Sequence, residues 1–203
     1  MSRLLLVRHG DTELNSAERY WGQTDVKLNA AGLRQAERLR DRLAEEKIDA
    51  IYSSNLKRAL VTAEIIASRY QLAVITCAEL REIDFGHLEG LTFNEINQLY
   101  PEVAELRMKR SPKLKYPGGD SFIEFGKRVS KFLSRLEQHT AEETILIVAH
   151  SGVLRVLICR LLDMDLGRLW QFPLDLASLS ILETNQQGGV LSLLNDVSHL
   201  AQV

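Results

Sequence analysis

The stretch Leu4-Leu5-Leu6-Val7-Arg8-His9-Gly10 runs four apolar residues straight into an arginine, a histidine and a glycine. A short apolar run of this kind reads as a buried strand, and Gly10 marks where it breaks. Arg8 and His9 are thereby delivered to a strand's carboxyl end, the place where open α/β sheets bind ligands. The arrangement recurs far down the chain, where Ile145-Leu146-Ile147-Val148-Ala149 leads into His150-Ser151-Gly152 and a helix-like stretch. A lone histidine beside an arginine is compatible with an ordinary surface. Two histidines at two strand ends point to a shared site.

Outward from the first strand, Leu28-Asn29 opens a helix with Asn29 as its N-cap. Leu33, Ala36, Leu39, Leu43 and Ala44 form that helix's apolar face. Residues 48–52 read as a second strand, punctuated by Ser53-Ser54-Asn55. A second helix then carries Leu56, Ala59, Leu60, Ala63, Ile66 and Ala67 on one stripe, and residues 72–76 read as a third strand. Residues 77–120 are less regular, broken by Gly86, Gly90, Pro101, Pro112, Pro117 and Gly118-Gly119, with short helical patches between. They read as an excursion over the active face that carries substrate-contacting groups. Helical spacing returns over 122–136, with Phe122, Phe125, Val129, Phe132, Leu133 and Leu136 on one side. A strand at 144–149 and a helix at 153–162 follow, and 178–182 with 190–194, separated by Gly188-Gly189, form a final strand pair. Strands alternating with helices predict an α/β fold: a three-layer, mostly parallel sheet with helices on both faces, to which the closing pair adds an antiparallel strand. No internal repeat, low-complexity tract or linker divides the chain, so 1–203 reads as a single domain.

The 203 residues are 45% hydrophobic and 26% charged, which is ordinary for a chain that buries one core. A net charge of -2 and a pI near 6.2 offer no basic field for nucleic acid or an anionic membrane. Positive charge for an anionic substrate must therefore be gathered locally. Cys77 and Cys159 have no metal-like spacing and sit among apolar neighbours, as small buried hydrophobes do. Nothing calls for disulfides, the 4–7 run is too short for the apolar core of a signal peptide, and no stretch approaches a membrane span. The expected location is the cytoplasm. Leu161-Leu162, Leu166, Leu169-Trp170 and Phe172-Pro173-Leu174 form an apolar stretch that is either core or the face of a homodimer, with core the expectation.

Arg58 falls in the first turn of the second helix, where unpaired N–H groups and the helix dipole already favour an anion. A guanidinium binds phosphate as a two-pronged donor. His150 likewise precedes a helix opening with Ser151-Gly152. Arg8, His9, Arg58 and His150 can thus converge as a compact cationic pocket on a slightly acidic protein, suited to a phosphoryl group. Glu79, Glu82, Asp84 and Glu89 all stand in range to act as its acid, and the residues alone do not choose among them.

The run Leu6-Val7-Arg8-His9-Gly10-Asp11-Thr12-Glu13-Leu14-Asn15 resembles the Arg-His-Gly signature of the histidine phosphatase superfamily, which includes the cofactor-dependent phosphoglycerate mutases. The likeness continues through Gly22-Gln23-Thr24-Asp25, Ser53-Ser54-Asn55-Leu56-Lys57-Arg58-Ala59 and Thr62-Ala63. It extends to Glu82-Ile83-Asp84-Phe85-Gly86-His87-Leu88-Glu89-Gly90, Pro117-Gly118-Gly119-Asp120-Ser121 and Val148-Ala149-His150-Ser151-Gly152. The blocks lie in order across nearly the whole chain. Asp11 departs from the Glu of many relatives. The resemblance implies a phosphoglycerate mutase-like fold, with His9 as nucleophile and Arg8, Arg58 and His150 around the phosphoryl group. Asn15, Gly22, Gln23 and Ser151 are then substrate-binding, and the motif register singles out Glu82 as acid and base. No paired-carboxylate metal site stands in the sequence, so no metal or cofactor is expected.

The resemblance further implies covalent catalysis on a small phosphomonoester, with no nucleic acid or membrane partner. Mutases of the group usually carry longer insertions between the acid/base block and the last histidine. This chain is short there, and its Glu82–Gly86 block looks like the phosphatase branch. Three segments look like α-ribazole phosphatases, the cobalamin-pathway enzymes: Trp21-Gly22-Gln23-Thr24-Asp25-Val26, residues 116–122, and Asn195-Asp196-Val197-Ser198-His199-Leu200. Trp21, Phe85 and Tyr116 can stack a base or can be packing residues. The expected substrate is α-ribazole 5′-phosphate. Broad-specificity or fructose 2,6-bisphosphate-like phosphatase, phosphoglycerate mutase and a non-catalytic phosphate-binding module are the alternatives.

Overall fold

The computed structural model describes residues 2–15, 19–185 and 188–201. Their strands are β1 (Ser2–Arg8), β2 (Ala50–Ser54), β3 (Val74–Cys77), β4 (Thr144–Ala149), β5 (Leu179–Asn185) and β6 (Gly188–Asp196), joined in one sheet ordered β3-β2-β4-β1-β5-β6. The first four are parallel, β5 runs antiparallel to β1, and β6 antiparallel to β5. Successive strand side chains point to opposite faces, which explains why Leu4-Leu5-Leu6-Val7 is apolar without interruption. Leu4 and Leu6 enter the core on one face, Leu5 and Val7 the core on the other, and all four are buried.

Helices α1 (Ala30–Arg42) and α2 (Lys57–Ala67) supply Leu39, Ala59, Ala63 and Ile66 to the second core. Among residues 77–120 lie α3 (Phe93–Leu99) and α4 (Pro101–Met108); they and α5 (Phe122–Leu136) and α6 (Ser151–Leu161) cover the first, with Ile96, Ala104, Phe125, Val129, Phe132 and Val153. The three-layer α/β architecture is therefore present, with a mixed sheet. Both cysteines are free and buried, and Leu169, Phe172 and Leu174 belong to the core.

Several boundaries differ from expectation. Leu33 is 41% exposed, because the inward face of α1 runs through Gly32, Ala36 and Leu39, and Leu33 sits one residue round the helix. β2 starts and ends two residues later than the apolar run suggests. Asp49 binds Thr144 through both its N–H and its carboxylate, so pairing begins only beyond it. Ser53 and Ser54, expected to punctuate the end of the strand, continue it fully buried. Both hydroxyls are bonded, Ser53 Oγ donating to the Ser54 carbonyl and Ser54 Oγ accepting the Leu56 N–H at 3.3 Å, and α2 has Leu56 as N-cap without a side-chain bond. β3 is likewise displaced, to Val74–Cys77. The region 77–120 is more helical than its glycines and prolines suggest, because Thr92 and Glu95 form a capping box that starts α3. Gly188 and Gly189 lie inside β6 rather than between strands.

One contact fixes the turn after β1. Asn29 caps α1 by accepting from the Gly32 N–H at 2.8 Å, and its own N–H donates to the Asp11 carbonyl at 3.0 Å. Asp11, the residue that departs from Glu, accepts from Asn29 Nδ2 at 3.0 Å and from the Thr12 N–H at 2.8 Å; it is a docking residue for the turn. Gly10 and Gly32 meet backbone to backbone, and a Cβ on Gly32 would collide with the Asp11 carbonyl. Overpacking of this kind costs about 1–3 kcal/mol. Gly32→Ala therefore lowers the unfolding free energy measured in urea by that amount and, by shifting the turn that carries His9, lowers kcat/KM at least tenfold. A variant unchanged in both respects contradicts the contact.

Candidate active site

β1 and β4 are neighbours, with Arg8 opposite Ala149, and the His9 N–H donates to the Ala149 carbonyl at 3.1 Å. The histidines that follow the two strands consequently emerge side by side. Their ring centroids are 5.0 Å apart, inclined by 63°, and both rings are buried. Arg58, in the first turn of α2, closes the group. Its Nε–H donates to His9 Nε2 at 3.2 Å. A guanidinium has no acceptor, so Nε2 carries the lone pair. Nδ1 carries the hydrogen and donates it to the Gly10 carbonyl at 2.7 Å.

Burial pushes the His9 pKa well below the usual imidazole range, the Arg58 and Arg8 charges push it further, and only the Gly10 carbonyl opposes them. His150 is driven down by the same causes, burial first and Arg58 second. Its Nε2 lies 2.9 Å from Ser54 Oγ, and its Nδ1 has no partner among the described residues. Burial also lowers Arg8 and Arg58, but a guanidinium stays charged.

Each arginine is held by backbone. Arg8 Nη1 donates to the Leu174 carbonyl at 2.6 Å, and its buried Nε has no partner among the described residues. Arg58 donates through Nη1 to the Thr24 carbonyl at 2.9 Å and through Nη2 to the Gly22 carbonyl at 2.6 Å. The loop offering those carbonyls is clasped by Glu89, which accepts the Gly22, Gln23 and Thr24 N–H groups at 3.0, 2.7 and 3.0 Å. Thr62 Oγ1 accepts from the Gly10 N–H at 3.2 Å, so α2 grips the histidine turn as well.

The four candidate acids separate clearly. Glu79 pairs with Arg135 at 2.9 Å, Asp84 accepts the Gly86 N–H at 2.8 Å, and Glu89 holds the 22–24 loop. Glu82 alone among the four lines the cleft with Arg8, His9 and Arg58. Its carboxylate accepts the Ile83 N–H at 3.0 Å and the Gly152 N–H, at the start of α6, at 3.1 Å. A Cβ at 152 would overlap that carboxylate, which explains a glycine there. Arg128 steadies the backbone behind it, reaching the Arg81 and Glu82 carbonyls at 2.7 and 3.1 Å and Asp120 at 2.9 Å.

The cleft encloses about 340 Å³ at the carboxyl ends of β1 and β4, and Asn15, Ser151, Arg19, Trp21 and Arg107 also line it. Asn15 is exposed at its lip, with Oδ1 accepting from the Thr12 N–H and hydroxyl at 2.9 and 2.7 Å. Gly22, Gln23 and His150 are not among the lining residues. Gly22 acts on Arg58, Gln23 Nε2 faces the Glu82 carbonyl at 3.4 Å, and His150 packs on His9. Sequence reasoning missed Ser54, Thr62, the Glu89 clasp and Arg107. Among the described residues, no group of three or more His, Cys, Asp or Glu side chains is arranged to hold a metal ion, and no helix is long and apolar enough to cross a membrane. A wider hollow of about 900 Å³ opens at the amino ends of the strands, lined by Ser2, Leu133, His139 and Thr184.

The chain matches the histidine phosphatase superfamily (branch 1) over residues 4–197, and it belongs to that superfamily as an enzyme of phosphatase type. It is similar to phosphoserine phosphatase 1 of Hydrogenobacter thermophilus, 35% identical over 202 residues that cover 100% of this chain and 96% of that protein. It is similar to the same degree to the adenosylcobalamin/alpha-ribazole phosphatase of Escherichia coli, 34% identical over 193 residues and 95% of each protein. The crystal structure of the alpha-ribazole phosphatase from Shigella flexneri superposes with a TM-score of 0.88 at 34% identity over 96% of each chain.

Because burial and two guanidiniums oppose protonation, His9 and His150 remain neutral where a free imidazole, with a pKa of about 6.5, is half charged. Nuclear magnetic resonance titration of the ring carbons is expected to find both still neutral at that pH. A midpoint at or above the free value for either ring contradicts the electrostatic account.

Proposed function

We propose that the chain hydrolyses a small phosphomonoester through a phosphohistidine at His9. The observation that carries this is the lone pair of His9 Nε2, held unprotonated beside Arg8 and Arg58 with the carboxyl group of Glu82 on the same cleft. In the first step the Nε2 lone pair forms the P–N bond while the P–O bond to the leaving alcohol breaks. Glu82 gives its proton to the departing alkoxide. The Gly10 carbonyl keeps the Nδ1 hydrogen and stabilises the charge that the phosphorylated ring acquires. In the second step Glu82 takes a proton from water, whose oxygen attacks phosphorus. The P–N bond breaks, Nε2 regains its lone pair, and Glu82 ends protonated as it began.

Arg8, Arg58 and His150 stabilise charge on the equatorial oxygens, the main task in phosphoryl transfer. Arg58 enters the resting site bonded to Nε2 itself, so arrival of the phosphoryl group transfers that donor from nitrogen to oxygen. Asn15 and Ser151 complete the binding of the group, with Gly22 and Gln23 holding the loop behind Arg58. Residues 77–120 carry Glu82, Phe85 and Arg107 to the cleft and close it as part of a single domain.

Two leaving groups are carried forward. α-Ribazole is supported by Trp21 on the cleft wall and by the relatives named for it; serine is supported by the equally similar phosphoserine phosphatase and by the surplus of arginine around Glu82. Comparison of kcat/KM for α-ribazole 5′-phosphate, phosphoserine and an aryl phosphate decides between them. A protein-borne cation set predicts full hydrolysis in the presence of EDTA, and complete loss on chelation contradicts it. Removing one donor to a developing anion costs about 3–4 kcal/mol. Arg58→Ala is therefore expected to turn over 10²–10³-fold more slowly, and a rate within threefold of the parent overturns its assignment.

A further inference from the structure

A second pair of arginines lies on the far side of Glu82. Arg107 on α4 stands 5.1 Å from the Trp170 ring centroid and Arg155 on α6 stands 5.8 Å from it. Arg107 donates through Nε to Tyr20 Oη at 2.6 Å and through Nη1 to Tyr116 Oη at 3.0 Å. Arg155 donates through Nε to the Phe172 carbonyl at 2.8 Å. Both are half-buried, and neither has a carboxylate within salt-bridge distance among the described residues. Arg107 Nη2 and both terminal nitrogens of Arg155 likewise find no protein acceptor there.

Two like charges facing one cavity repel each other, the more so away from bulk water, and the nearby Glu82 is not at salt-bridge distance from either. Burial and the neighbouring Arg107 both pull the Arg155 pKa down, and the charge of Glu82 alone raises it. An anion with two or more oxygens relieves this strain and matches the forked donors of a guanidinium. The recess between the arginines holds about 80 Å³ and opens onto the main cleft through Glu82, Phe85 and Ser151. That is room for about two or three waters, hence for a carboxylate or phosphate group but not for an aromatic base. The candidate stacking residues are also engaged: Tyr116 is 1% exposed with its hydroxyl on Arg107. Phe85 packs edge-on between Tyr20 and Tyr116, with centroids 5.1 and 4.9 Å away.

We propose that Arg107 and Arg155, on the Trp170 ring, form a second anion subsite that receives an anionic substituent of the leaving alcohol. The inference rests on His9 and Glu82 being the reacting centre. It makes the preferred substrates monoesters whose alcohol itself carries a carboxylate or a second phosphate, and it favours the serine-type leaving group over α-ribazole.

The test uses three esters of one size class: ethyl phosphate, 2-phosphoglycolate, which replaces the methyl by a carboxylate, and ethylene glycol bisphosphate. The parent is expected to prefer at least one of the two anionic esters by tenfold or more in kcat/KM, chiefly through KM; which one it prefers tells carboxylate from phosphate. Arg107→Met and Arg155→Met each reduce that preference at least tenfold, and Arg155→Lys restores part of it, with circular dichroism showing folded proteins. A parent preference below threefold, or one unchanged in both Met variants, overturns the subsite while leaving the phosphohistidine reading intact. If the parent hydrolyses none of the esters, that reading fails. Calorimetric titration with 2-phosphoglycolate then still judges the subsite, and equal affinity in the parent and Arg155→Met overturns it.

Discussion

A neutral imidazole held between a carbonyl and a guanidinium is the constraint on which the site depends. His9 gives its Nδ1 hydrogen to Gly10 and receives the Arg58 Nε–H on Nε2, so tautomer, orientation and charge state are set together. The same two arginines that suit a phosphoryl group keep the ring unprotonated. An imidazole in water at this distance from two cations would simply turn away. Here the turn after β1 prevents it, with Gly10 pressed on Gly32 and held by Thr62.

The rest of the fold supplies positions for that ring. Adjacent parallel strands bring His9 and His150 together, and β2 on the other side of β4 brings Ser54 to His150. The start of α2 brings Arg58. The 22–24 loop locks the guanidinium through two carbonyls, and Glu89 in turn locks the loop. Glu82 arrives from a different segment and is fixed on the amino end of α6, where only glycine permits its approach. Five separate stretches of chain thus meet at one point.

Much of this was legible in the residues. The two apolar runs ending in histidine identified the paired strands, and the arginine at a helix start identified the second guanidinium of the site. The motif register selected Glu82, and the structure adds the physical reason that Glu79, Asp84 and Glu89 are engaged elsewhere. Polar residues misled the reading of β2: Ser53 and Ser54 look like a break after the strand, yet both hydroxyls are bonded, Ser53 Oγ to the Ser54 carbonyl and Ser54 Oγ to His150 Nε2, and so are buried at little cost. The capping box of Thr92 and Glu95 was readable in the sequence and was outweighed by the prolines and glycines around it. Arg107 and Arg155 were beyond sequence reasoning. They are 48 residues apart and meet only because α4, α6 and the turn at 166–171 pack around one tryptophan.

Rapid quenching of a turnover with ³²P-labelled phosphomonoester tests the central claim most directly, since a phosphorylated imidazole survives alkali and is lost in acid. The account predicts such a label on the protein, mapped to His9, formed before free phosphate appears and absent from His9→Ala. Phosphate release without any labelled protein, a label that survives acid, or the same label in His9→Ala would contradict it.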